Sequence, residues 1–150
     1  MARDLRALRL EYGLTQKAVA AAAGIHQPDL SAIERGRPAS DALRSEIERA
    51  LLSLLRPSDV LAHHRDEIMA VLSGAGVRGV RVFGSTVRGE DVPGSDLDLL
   101  VVPPREMGLF GLLDLEESLQ ELLGIPVDLV PDDPRTAKSL ARAKAEAVPL

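Results

Sequence analysis

The chain has 150 residues, 45% of them hydrophobic but only 2% aromatic, with no cysteine and a formal charge of −5. That length suits one or two small domains cored by Leu, Val, Ala and Ile; it excludes disulfides and thiolate catalysis and leaves few rings for stacking on bases. No N-terminal stretch reads as a signal peptide and no apolar run reaches bilayer length, so a cytoplasmic protein with no membrane partner is expected.

Read in chain order, the first third is a string of short helices. Residues 4–11 carry Leu5, Ala7 and Leu8 and end at Tyr12-Gly13. Thr15 predicts an N-cap for a helix over 16–23, which Gly24 stops. A third helix over about 27–35 follows Ile25, with Pro28 tolerated in its first turn and Leu30 and Ile33 facing inward. Two helices joined by a tight glycine turn make a helix-turn-helix. Residues 41–55 place Leu43, Ile47, Ala50, Leu51 and Leu54 on one face of a fourth helix.

At Arg56-Pro57-Ser58-Asp59, proline stops one leucine-rich helix and Ser58 or Asp59 can cap the next. Charge changes at the same point. Residues 1–56 hold nine Lys or Arg against seven Asp or Glu, whereas 57–150 hold nine against sixteen. Two domains are therefore expected, 1–56 and 57–150, with different partners.

In the second part, a helix over 57–72 leads through Gly74-Ala75-Gly76 into a strand over 80–83. His63 and His64 lie on that helix at a spacing poor for a metal and read as solvated surface residues. A strand over 97–102 ends at Pro103-Pro104. Residues 110–123 have leucines at helical spacing, with Glu116, Glu117 and Glu121 outward and Gly124 closing the helix. A strand over 127–130 follows, and Asp133-Pro134 predicts the cap and first turn of a last helix through Ala147. The fold class is α+β: an all-α helix-turn-helix domain followed by a small sheet flanked by helices.

The stretch from Val82 to Asp98 carries the chemistry. A strand runs into Gly84-Ser85, and ten residues later comes Asp96-Leu97-Asp98. Alternation along a strand sends Asp96 and Asp98 to one face and Leu97, Leu99 and Val101 to the other. Val127-Asp128-Leu129-Val130 repeats the pattern and offers a third carboxylate. Three clustered carboxylates repel one another unless a cation sits among them, and magnesium, which shares carboxylates with phosphates, is the natural candidate. Glycine lets a phosphate approach the backbone closely, and Ser85 is expected to cap a short helix facing the anion. A nucleoside triphosphate site performing in-line nucleotidyl transfer is the expectation.

Gly84-Ser85, ten residues and Asp96-Leu97-Asp98 resemble the signature of the polymerase-beta-like nucleotidyltransferases, specifically their minimal, MNT-type antitoxins. The likeness continues through the segment from Glu121 to Val130 and to the Ala147-Val148-Pro149-Leu150 end. It implies that Asp96, Asp98 and Asp128 hold two magnesium ions and act in catalysis, and that Gly84, Ser85 and Arg88 bind the phosphates of ATP.

Leu14-Thr15-Gln16, Ala22-Ala23-Gly24-Ile25, Gln27-Pro28 and Ile33-Glu34-Arg35-Gly36 resemble the XRE, or Cro-repressor-like, DNA-binding domains. That resemblance implies that the third helix enters the major groove and that Gln16 and Gln27 fix a phosphate and a base. His26, Asp29 and Ser31 would lie on or near the reading face, with Lys17, Arg35 and Arg37 reaching backbone phosphates. Asp29 either accepts from cytosine or favours the helix N-terminus through its charge.

Together the resemblances imply an antitoxin that transfers AMP from ATP to a tyrosine of a cognate HEPN-domain ribonuclease toxin and represses its own operon, binding the DNA operator as a homodimer or as a hetero-oligomer with the toxin. The alternatives are a catalytically silent repressor that acts by binding the toxin alone, and a nucleotidyltransferase for a small molecule.

Overall fold

In the computed structural model, which describes residues 3–136 and 138–150, the side chain of Thr136 excepted, the chain divides into one unit ending at Leu55 and another starting at Arg56. The first is built from α1 (Leu5–Glu11), α2 (Gln16–Ala23), α3 (Gln27–Glu34) and α4 (Asp41–Leu52). Its helix starts are fixed by short polar side chains. Asp4 accepts from the amides of Arg6 and Ala7, Thr15 from Ala18 and Ser40 from Leu43, each such cap being worth about 1 kcal/mol. Gly24 takes the left-handed conformation, φ 70°, that ends α2. The buried core comprises Leu5, Leu8, Val19, Ala20, Leu30, Ile33, Ile47 and Leu51. α4 stops three residues short of expectation, at Leu52, yet Leu55 beyond it is still buried.

The second unit contains α5 (Pro57–Gly74), β1 (Arg78–Phe83), α6 (Ser85–Arg88), β2 (Leu97–Val102), α7 (Leu109–Leu123), β3 (Val127–Pro131), α8 (Ala141–Glu146) and β4 (Val148–Pro149). The sheet order is β3-β2-β1-β4. β2 and β3 run parallel, which their α7 crossover permits, and the other pairs are antiparallel. Val82, Leu97, Leu99, Val101, Val127 and Leu129 of the sheet are buried, as are Val60, Ile68 and Leu72 of α5 and Leu112, Leu115, Leu119 and Leu123 of α7.

Several expectations need correction. α5 is interrupted at His64 (φ −123°, ψ 16°), whose ring lies against Glu67 with its side chain only 18% exposed, whereas His63 is exposed with its Nδ1 2.8 Å from the Asp59 carbonyl. Glu116 does not simply face outward. Its Oε2 accepts from the Leu129 amide at 3.0 Å, and Gln120 Oε1 accepts from Val127 at 3.1 Å; two α7 side chains thus satisfy the outer amides of the edge strand β3. Beyond β3 the single long helix is replaced by a 3₁₀ turn at Pro134–Thr136 and the separate α8, while Asp133 accepts from the Arg135 amide at 2.8 Å. The chain then adds β4 beside β1, a strand too short to leave a periodic signal. α8 is tied to the sheet through Asp132, which pairs with both Arg81 and Lys144. Among the described residues no helix is long and apolar enough to cross a membrane.

Candidate active site and nucleic-acid interface

Strand register places the motif residues side by side. Phe83 is the lateral partner of Asp98 across the antiparallel β1-β2 pair, and Asp98 is that of Asp128 across the parallel β2-β3 pair. All three therefore share the face opposite Leu97 and Leu99. Gly84 follows Phe83 with φ 79° and ψ −154°, a backbone conformation reserved for glycine. A Cβ there would run into Asp98 Oδ2. The Gly84 turn and the Asp98 carboxylate are thus in direct contact.

Ser85 is not a cap. It is the first residue of α6, Gly84 occupies the N-cap position, and no side chain caps this one-turn helix. Between α6 and β2 the loop is pinned at two places. Asp91 is buried and its Oδ2 accepts from the Ser58 amide at 2.8 Å, in the first turn of α5. Ser95 Oγ accepts from the Val92 amide at 3.0 Å. Asp96 then lies exposed, one residue ahead of β2.

The carboxylates feel one another. The Asp98 carboxyl is pushed up to about 6, first by burial and then by the charges of Asp128 and Asp96. Asp128 is raised by burial, then by Glu116 and Asp96. Among the described residues no three His, Asp or Glu side chains are gathered into a ready-made cation site. An all-carboxylate set of mutually repelling oxygens nevertheless suits a hard cation that completes its shell with water and substrate phosphate, as magnesium does.

Two acidic residues outside the expected set border this site. Glu146, at the end of α8, accepts from the Gly84 amide at 2.9 Å and from Arg88 Nη1 at 3.0 and 2.9 Å through its two oxygens. Arg88 also donates from Nε to Glu90 at 2.9 Å. These bonds hold the Glu146 carboxyl below its ordinary range, Arg88 contributing most. Glu116 is the other, through its effect on Asp128. Its signal was weak but present, since it follows Leu112 by four residues and so flanks the buried stripe of α7.

In the helical unit, Gln27 is exposed in the first turn of α3, and His26, exposed, is its N-cap residue with no side-chain capping bond. Lys17 and Arg35 are exposed and Ser31 is half-buried. Asp29 and Arg37 pair with each other at 3.1 Å, so the expected phosphate contact of Arg37 and any base contact of Asp29 compete with this bond. Gln16 donates to Glu34 Oε2 at 2.9 Å. Glu34 in turn receives Arg9 Nε at 2.7 Å and Nη2 at 2.9 Å, and Arg9 Nη1 donates to the Leu14 carbonyl at 2.8 Å. This buried network was not anticipated, although Arg9, four residues after Leu5, falls on the apolar side of α1.

The profile of the nucleotidyltransferase domain matches residues 66–148, and that of a helix-turn-helix matches residues 5–51. Over 81 residues the chain is 42% identical to Protein adenylyltransferase MntA of Thermococcus cleftensis, covering 54% of this chain and 79% of that protein. A candidate protein adenylyltransferase of Methanocaldococcus jannaschii is 33% identical over 72 residues, 48% of this chain and 70% of that one. A solved structure described as a candidate minimal nucleotidyltransferase superposes with a TM-score of 0.53 at 35% identity, covering 62% of this chain and 95% of that one.

Proposed function

The chain belongs to the nucleotidyltransferase domain family and carries an N-terminal helix-turn-helix domain, and from that premise we propose that it is an antitoxin that transfers AMP from ATP to a tyrosine of a cognate HEPN-domain ribonuclease toxin. The observation that carries the chemistry is the lateral row Phe83, Asp98 and Asp128 with Gly84 packed on the Asp98 carboxylate. Similarity to a protein adenylyltransferase supports a protein acceptor.

In this reading Asp96, Asp98 and Asp128 hold two magnesium ions, and Gly84, Ser85 and Arg88 bind the triphosphate. The metal, when bound, neutralises phosphate charge at the attacking and leaving oxygens. Asp128, the more exposed of the two strand carboxylates, faces the acceptor. It takes the tyrosine proton or orients the hydroxyl while the new bond forms to the α-phosphorus and pyrophosphate departs.

The helix-turn-helix unit binds the operon's own promoter as a homodimer over two half-sites, with Gln27 reading a base and Lys17 and Arg35 on phosphates. The test of the enzymatic reading is the intact mass of the neighbouring gene product after incubation with this protein, ATP and magnesium, beside an Asp98→Asn control. Gain of one or more AMP units that disappears in the control is expected. An unchanged mass with a tight complex would reduce the nucleotidyltransferase unit to a binding scaffold.

A further inference from the structure

Glu146 makes its bonds with donors that the nucleotide reading assigns to the triphosphate. Its carboxylate takes the Gly84 amide on one oxygen and Arg88 Nη1 on both, within 2.9 to 3.0 Å. The side chain is only 20% exposed. It belongs to an anchored segment: α8 is tied down by the Lys144 to Asp132 pair at 2.6 Å, and Val148, two residues after Glu146, is registered against Val82 in β1. This is a planar anion held by a backbone amide beside a glycine turn and by a guanidinium, the donor pairing that recognises phosphate oxygens.

We propose that Glu146 occupies the place of a triphosphate oxygen set in the nucleotide-free enzyme and must leave when the nucleotide enters. The inference rests on the assignment of Gly84 and Arg88 to the nucleotide. A single amide hydrogen cannot fully serve two anions, and two anions cannot share the turn without repulsion. Displacement of Glu146 therefore subtracts from nucleotide affinity. It also links the C-terminal segment Glu146 to Pro149 to occupancy of the site, because freeing the carboxylate removes a contact that holds α8 over β1.

The test is calorimetric titration of the full chain with the non-hydrolysable analogue α,β-methylene-ATP in magnesium buffer, comparing wild type with Glu146→Gln, Glu146→Asp and Arg88→Ala. Glu146→Gln removes the competing charge but keeps the shape, and tightening of about tenfold is expected, in line with replacing a charge-assisted contact by a neutral one. Glu146→Asp shortens the reach and falls between the two; it serves as the readout if the Gln variant melts early. Unchanged or weaker binding in both Glu146 variants would overturn the proposal and make Glu146 a clamp that orients Arg88. Arg88→Ala separates the two levels of the argument. If it leaves analogue binding intact, the nucleotide assignment itself fails; if it weakens binding while the Glu146 variants do not tighten it, only the placeholder role fails.

Discussion

Asp98 lies so close against Gly84 that its Oδ2 occupies the space a side chain at position 84 would need. Gly84→Ala meets two penalties at once, a positive φ of 79° and a collision with that carboxylate. Gly89, which ends α6 with φ 69°, meets the first alone, because nothing lies within 4 Å of a Cβ there. Gly89→Ala should cost about 1 kcal/mol and keep transfer activity, whereas Gly84→Ala should cost roughly 2–3 kcal/mol and abolish it. Chemical denaturation of both variants, with nucleotidyl transfer measured alongside, checks the difference.

In metal-free buffer Asp98 also costs the fold stability. Its carboxyl is raised from 3.8 to about 6, so the folded state holds this proton more tightly than the unfolded chain does. The sign follows: ionising Asp98 costs stability as pH rises from about 4 to 6, and the full cost persists above that. Without metal, Asp98→Asn should be more stable than wild type by about 1 kcal/mol at pH 7.5, after discounting for solvent screening, and equal to it below about pH 4. Melting curves across pH in chelator are the measurement, and a destabilised variant at pH 7.5 would contradict this sign.

Much of this architecture could be read from local pattern. Thr15 and Gly24 mark the ends of α2 because capping is decided within one turn, and the alternation at Leu97, Asp98 and Leu99 sorts core from site because strand periodicity is local. What escaped depends on partners distant in sequence. Glu146 reaches Gly84 across 62 residues, and Arg9 reaches Glu34 across 25; no spacing rule connects them. Ser85 departs from its expected capping role for a different reason. The turn at Gly84 uses a backbone conformation, not a side-chain bond, to start α6, and sequence preference for serine at caps points the wrong way.

The Arg9 to Glu34 pair is the stability hinge of the helical unit. Its side chains are 10% and 2% exposed, so removing either leaves the other charge stranded in the interior. Arg9→Met alone or Glu34→Gln alone should cost roughly 3 kcal/mol, and the double variant less than the sum. The pH dependence has the opposite sign to that of Asp98. Glu34 is held below its ordinary value, chiefly by its bonds to Arg9, so its stabilisation is present above about pH 4.5 and lost as acid titrates the folded carboxyl. Urea denaturation of the four forms at pH 7 and pH 4 tests both statements.

Recognition of DNA should separate Gln27 from Lys17 and Asp29. Gln27 is exposed at the start of α3, where an amide can pair with adenine; Gln27→Ala should weaken operator binding by about 1–3 kcal/mol and relax preference at one base position. Lys17→Ala should weaken operator and unrelated DNA alike, lowering the salt dependence by about one counterion. Asp29→Asn frees Arg37 from its 3.1 Å pair and removes a negative charge from the reading surface. Affinity for DNA of any sequence should therefore rise, and the salt dependence should steepen. Fluorescence anisotropy with operator and scrambled duplexes over a salt series distinguishes the three. If Asp29→Asn instead lost operator binding while keeping scrambled DNA, Asp29 would be the base reader, accepting from a cytosine amine, and its pairing with Arg37 a feature of the DNA-free protein alone.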